Sequence, residues 1–132
     1  MSFVIQENVP LRDKNWFQTG GSARFFCEPL TSDEFQDALN FAHERKLDIF
    51  VLGHGANIVV SDEGFDGLVI HPKKGPVTFK ETSDKHALVT AAAGVLMDEL
   101  IDITHDRQLV GLEDFSHIPG SIGGSVSPAP VA

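Results

Sequence analysis

The chain has little of several residue types, and each shortage narrows what it can be. It carries one cysteine, Cys27, among 132 residues. A lone thiol closes no internal disulfide, so a reducing, cytoplasmic setting is expected. Cys27 stands in the apolar run ARFFCEPL and reads as a small buried hydrophobe. Positive charge is scarce: 10 Lys and Arg against 19 Asp and Glu, a net charge of −9. That balance argues against nucleic acid, whose phosphates need a basic surface. It leaves room for a phosphate held by backbone amides, which act locally. No apolar run approaches membrane-spanning length, so no membrane partner is expected. The opening MSFVIQENVP has neither a basic n-region nor an apolar h-region, so no secretory signal is expected. No internal repeat is visible, and the length suits one domain able to bury about two-thirds of its unfolded surface.

What is present reads as α+β. Residues 1–19 read as an irregular lead-in and Arg24–Glu28 as a short strand ended by Pro29. Thr31 and Glu34 have the spacing of a capping box. Phe35, Ala38, Leu39 and Ala42 follow at helical spacing, so an amphipathic helix is expected over 32–46. Ile49–Leu52 is apolar at every position and reads as a strand buried on both faces. Strand, helix, strand makes a βαβ unit with parallel strands. Ile58–Val60 and Leu68–Ile70 are further strand candidates. Val77–Glu81 and Ala87–Ala91 flank a polar link and predict a hairpin. Leu96, Leu100 and Ile103 mark a second helix over about 96–108. Ser127 to Ala132 loses all pattern and reads as a frayed end.

Two glycine-rich loops stand out. Gly53-His54-Gly55-Ala56-Asn57 follows a strand directly. Glycine there permits positive φ and lets a ligand approach the amides, and loops beyond strand ends of open α/β sheets favour ligands. The loop opens like a dinucleotide fingerprint, but Ile58 stands where a third glycine belongs and a strand-forming run follows, so the fingerprint fails. No G-x-x-x-x-G-K-[ST] motif occurs. A tight inter-strand connection explains the loop equally well. The second cluster, Ile118-Pro119-Gly120-Ser121-Ile122-Gly123-Gly124, is too glycine-rich for a good helix or strand interior. Two such loops suit an extended ligand with a charged middle, or are two unrelated turns. The six histidines show no metal-ligand spacing.

The order NWFQTGGSARFF, VLGHGANIVVSDEGFDGLVI, TAAAGVLMDEL and GLEDFSHIPGSIGGSV closely resembles the UDP-N-acetylenolpyruvoylglucosamine reductase (MurB, UDP-N-acetylmuramate dehydrogenase) family of peptidoglycan synthesis. The resemblance runs over residues 8–126. It implies an FAD-binding domain of the vanillyl-alcohol-oxidase (PCMH) type, with a βαβ subdomain over 1–75 and the start of a second over 76–126. It implies FAD as cofactor, with Gly53, His54, Gly55, Ala56, Asn57 and Ile58 around its diphosphate. Gly94, Ile118, Pro119, Gly120, Ser121, Gly123 and Gly124 would lie further along it, Ser121 offering a hydroxyl. The loop has His54 where the family often has Gly and Ala56 where it often has Ser. In the family NADPH reduces the flavin, which then reduces an enolpyruvyl UDP-sugar. The catalytic Ser, Glu and Arg and the substrate domain would lie beyond this chain, so no catalytic residue is assigned within it. NADPH and the UDP-sugar would be partners only of a complete enzyme. A fragment, a truncated gene product and half of a split enzyme all remain open, with self-association or a partner supplying the remainder expected.

Overall fold

The computed structural model describes residues 3–127. The chain divides into two compact units, Met1–Lys73 and Lys74–Ala132. The expected frayed end falls on residues 128–132 outside the described part, apart from Ser127, which forms a bend.

The first unit holds strands β1 (Gln6–Pro10), β2 (Ser22–Cys27), β3 (Asp48–Val51) and β4 (Phe65–Ile70), with helix α1 (Ser32–Glu44). Their order in the sheet is β1-β2-β4-β3. β2 and β3 each pair in parallel with β4, and β1 pairs antiparallel with β2. The βαβ strands are therefore parallel but not adjacent, since β4 enters between them. α1 begins as its spacing predicts: the Thr31 hydroxyl accepts from the Glu34 amide at 3.2 Å, and the Glu34 carboxylate reaches back to the Thr31 amide.

Side chains alternate across β4 and set two cores. Leu68 and Ile70 face α1, packing with Cys27, Ala38 and Ala42. Val69 points to the opposite face, packing with Leu11, Ala23, Phe26 and Leu52. Burying side chains on both faces at about 25 cal/mol per Å² of apolar area is what holds this unit together.

Three expectations are corrected here. The lead-in contains a strand, β1, whose exposed, polar residues hide it from pattern reading; it is an edge strand, where Pro10 and the positive φ of Asn8 (54°) are tolerated. The strand buried on both faces is β4. β3 is instead an edge, with Ile49 and Val51 41% and 52% exposed. Ile58–Val60 forms no strand; Ile58 and Val60 pack on the Leu11–Phe26 core as a loop.

The second unit holds a hairpin, β5 (Val77–Ser83) and β6 (His86–Ala91), and helices α2 (Met97–Asp106) and α3 (Ile122–Val126). β5 and β6 pair antiparallel through the turn at Asp84-Lys85. The second glycine cluster departs from expectation, because Gly123 and Gly124 lie inside α3. Packing overrides propensity: a Cβ on Gly123 would lie 2.8 Å from that of Ala93, so close approach selects glycine here.

Candidate functional site

The first glycine loop leaves the C-terminal end of β3. Leu52 is buried and its amide donates to the Ile70 carbonyl at 2.8 Å, which fixes where the loop starts. The loop then rests on the segment before β2. Asn15 shapes that segment. Its buried side-chain amide donates to the carbonyls of Leu11 (2.8 Å) and Thr19 (2.9 Å), and its oxygen accepts from the Thr19 amide. Next to it, the Trp16 amide donates to the Gly55 carbonyl at 2.9 Å. Gly55 is buried at φ +73°, and a Cβ there would collide with the Lys14 carbonyl oxygen and sit 2.8 Å from the Asn15 Cα. Only glycine satisfies both demands.

The consequence is a run of unspent donors. No acceptor among the described residues takes the amides of Gly53, His54, Gly55, Ala56 or Asn57. Successive free N–H groups in a tight loop form an anion-binding concavity that needs no basic side chain. That matches the acidic composition. Ile58 leaves this run to pack on the core, where it helps line an apolar cavity of about 210 Å³ with Leu11, Phe50, Phe65 and Lys14.

The other residues singled out from sequence lie in the second unit. Ala93-Gly94 is a tight turn closed by the Val95 amide on the Ala92 carbonyl at 3.1 Å. Ala93 then accepts from the Gly123 amide at 2.9 Å, and Val95 from the Ile122 amide at 2.8 Å, so Gly94 and the second glycine loop belong to one local structure. Ser121 is buried, and its hydroxyl caps α3 by accepting from the Gly124 amide at 3.3 Å. Gly120 takes φ +149°, while Ile118 is half exposed and Pro119 exposed. Within this unit, no acceptor among the described residues takes the amides of Gly94, Gly120 or Ser121.

Sequence reading missed the braces. Trp16 holds the first loop, Asn15 shapes the segment it rests on, and Asp98, in the first turn of α2, holds the second loop by accepting from the His117 amide at 2.8 Å. His117 sits at φ +62°, which an L-residue adopts at a cost, and the carboxylate offsets it. Asn15 was discoverable from Asn15–Thr19–Gly20–Gly21, a turn-rich string next to a strand. Nothing local signals a bond between residues 19 positions apart. The remaining chemistry is quiet. Burial, then the neighbouring Glu28 charge, pushes the Cys27 thiol up to about 12, so it stays protonated. Among the described residues, no group of His, Cys, Asp and Glu converges to hold a metal ion.

A sheet-borne loop of free amides can hold an anionic ligand without a Rossmann fingerprint. The chain belongs to the FAD-binding domain family, whose model matches residues 23–129. Two relatives narrow the likeness. A UDP-N-acetylenolpyruvoylglucosamine reductase of Rhodopirellula baltica is 41% identical over 123 residues, covering 93% of this chain and 40% of its own. The reductase of the same name from Staphylococcus epidermidis is 34% identical, covering 93% of this chain and 39% of its own. The chain thus spans about two-fifths of the length of the curated relatives it matches. Among solved structures, the MurB reductase of Thermus caldophilus superimposes with a TM-score of 0.70 at 28% identity, over 95% of this chain and 42% of that one. A cholesterol oxidase of Brevibacterium sterolicum shares the fold, with a TM-score of 0.68 at 19% identity over 95% of this chain and 24% of its own. The α+β fold is thus of the vanillyl-alcohol-oxidase type, and its cofactor is FAD. The residues present fit that cofactor, since the free amides around Gly55 suit a diphosphate.

Neither unit contains a helix long and apolar enough to cross a membrane, among the described residues.

Proposed function

We propose that this chain is the cofactor-binding portion of a UDP-N-acetylenolpyruvoylglucosamine reductase, working in the cytoplasm in peptidoglycan synthesis. Residues 1–126 form its FAD-binding domain, and the amides of Gly53, His54, Gly55, Ala56 and Asn57, with Ile58 at their end, hold the FAD diphosphate. Gly94, Ile118, Pro119, Gly120, Ser121, Gly123 and Gly124 serve as further contacts to the cofactor. The observation that carries the reading is the run of free amides beside buried, left-handed Gly55.

When bound, the flavin supplies hydride acceptance from NADPH and hydride donation to an enolpyruvyl double bond. The chain's own residues bind and orient. Asn15 shapes the segment under the first loop, Gly55 seats the loop there, and Ser121 keeps the second loop closed. NADPH and UDP-sugar contacts belong to the remainder of the longer relatives, supplied in the same chain or by a partner; without it the chain self-associates. A flavin-binding module, or a nonfunctional truncated remnant, without catalysis is the alternative reading; FAD binding separates off the remnant and an NADPH assay the module.

Titrating FAD tests the proposal. Binding quenches flavin fluorescence and raises the melting temperature, and a ligand at 100 times its Kd adds about 2.7 kcal/mol to stability. Absence of both signals overturns the reading. NADPH oxidation in the presence of the enolpyruvyl UDP-sugar, with the remaining portion of a relative added in trans, distinguishes reductase from binding module.

A further inference from the structure

His54 is the odd residue of the first glycine loop. It lies between Gly53 and Gly55, whose amides have no acceptor among the described residues. Its imidazole is half-buried, yet neither ring nitrogen has a hydrogen-bond partner among those residues. Both nitrogens keep some solvent exposure, so a ligand that meets the free amides on either side can also reach the ring.

The ring is also held. The Trp16 indole packs against it edge to face, with centroids 5.5 Å apart and planes at 75°. Such aromatic pairs contribute beyond their buried area. Trp16 is itself fixed through its backbone, because its amide donates to the Gly55 carbonyl at 2.9 Å. One residue therefore ties the loop by its main chain and braces the loop's imidazole by its side chain. Trp16 is 56% exposed, so packing in the core does not explain it.

The geometry points to His54 as a side-chain ligand for a diphosphate, held in place by Trp16 as a positioning residue. An imidazole N–H donates to a phosphate oxygen, adding one directional contact to the backbone amides. The ligand class is a diphosphate ester, alone or within a dinucleotide. This rests on the reading of the first loop as the FAD diphosphate site, and it assigns a side chain where that reading uses only main-chain groups.

The chain has one tryptophan and no tyrosine, so intrinsic emission excited at the indole band reports on Trp16 alone. Flavin absorbs in the range where tryptophan emits, and energy transfer dims it without contact. Inorganic pyrophosphate has no such absorption. The test therefore titrates the full chain with FAD, ADP, inorganic pyrophosphate and riboflavin. FAD is followed by flavin fluorescence, and the others by competition and by Trp16 emission. Pyrophosphate is expected to change Trp16 emission in the wild type and not in H54A. H54A and W16L are each expected to weaken FAD, ADP and pyrophosphate by about three- to tenfold, the size of one hydrogen bond. Riboflavin, which lacks the diphosphate, is expected to be unaffected. Because Trp16 acts through His54, W16L should add nothing in the H54A background, and H54Q, which keeps an N–H donor, should recover part of the affinity. A purely structural role predicts neither result. If FAD binds the wild type and all variants alike, the inference falls and the FAD reading stands. If the wild type does not bind FAD at all, both fall.

Discussion

In the first unit the loop Gly53–Ile58 rests on a sheet with both faces packed. In the second, Ile118–Gly124 rests on the start of α2 and on the Ala93–Val95 turn. Ten of the twelve buried hydrophobic residues among the described residues lie in the first unit; the second has Val95 and Leu100. A two-stranded hairpin is marginal by itself. The difference teaches how a preformed anion site is made: free amides stay aimed only where the chain beneath them has a core. By hydrogen bonds alone, the second loop has a shape but a weaker foundation.

The largest break in this comparison comes from the core. Phe26 is 1% exposed and joins the cluster beneath the first loop. Phe26→Ala should cost about 3–5 kcal/mol, a large share of a small domain's stability, and should abolish FAD binding with the fold. Leu100→Ala in the second unit is expected at about 2 kcal/mol, the lower end for leucine truncation, because fewer neighbours surround it. Urea unfolding followed by the lone tryptophan reports the first unit. A smaller loss for Phe26→Ala than for Leu100→Ala, with proteolysis cutting 1–73 before 74–127, would reverse the ranking of the two units.

Two left-handed glycines sharpen the contrast at the next level. Gly55 at φ +73° is packed against the Lys14 carbonyl, whereas Gly111 at φ +125° has nothing within 4 Å of a built Cβ. Gly111→Ala should cost only backbone strain, about 1–2 kcal/mol, and leave FAD affinity unchanged. Gly55→Ala carries the same strain plus a backbone collision, and should lower FAD affinity by at least about tenfold, or 1.4 kcal/mol. Equal FAD titrations for the two variants would mean that the first loop is not the site.

Cys27 gives a pH test confined to the first unit. Its thiol is pushed from 9.0 up to about 12 by burial and the Glu28 charge. The unfolded chain loses this proton first, so stability is intact below pH 9 and declines as pH rises towards 12. The slope is about 1.4 kcal/mol per pH unit. Cys27→Ala removes that slope at the cost of a small cavity. Denaturant midpoints at pH 8, 9 and 10 for both proteins check it; parallel curves would show that the thiol ionises freely in the fold. The same burial predicts that thiol reagents react with Cys27 only on unfolding.

The legible parts of this molecule were those with local causes. The capping box at Thr31 and Glu34, the helical spacing of α1, and the hairpin turn at Asp84-Lys85 each sit within a few residues. β1 was invisible because an edge strand needs no apolar face, and its partner β2 is what makes it a strand. β3 and β4 were both seen, but which was central depends on strand order, and strand order depends on contacts across the unit. The glycine loops announced themselves by composition, since positive φ and close approach leave few alternatives. Their long-range braces did not, because Trp16 reaches Gly55 and Asp98 reaches His117 only once the chain folds, whereas Asn15 bonds Leu11 and Thr19 four residues away. Helix α3 was hidden by its own glycines, which serve packing against Ala93 and not propensity.

The smallest effect concerns the second unit's surface. Glu113 lies in the turn Glu113–Phe115 after α2, and its carboxylate accepts from the Gly111 amide at 2.7 Å. Its pKa is lowered from 4.5 by backbone hydrogen bonds, its own amide first and then that of Gly111. A depressed carboxyl stabilises the fold above its ordinary value, and that contribution is lost as pH falls through the folded value. The segment 111–115 should therefore lose amide protection, measured against the intrinsic exchange rate at each pH, as pH falls below 4.5, with the sheet of the first unit unaffected. Glu113→Gln should show the loss of protection already at pH 7, since a neutral amide oxygen is a weaker acceptor than a carboxylate. If instead both units lose protection together over that pH range, the two do not unfold as separate pieces, and the contrast between a packed and a hydrogen-bonded loop loses its basis.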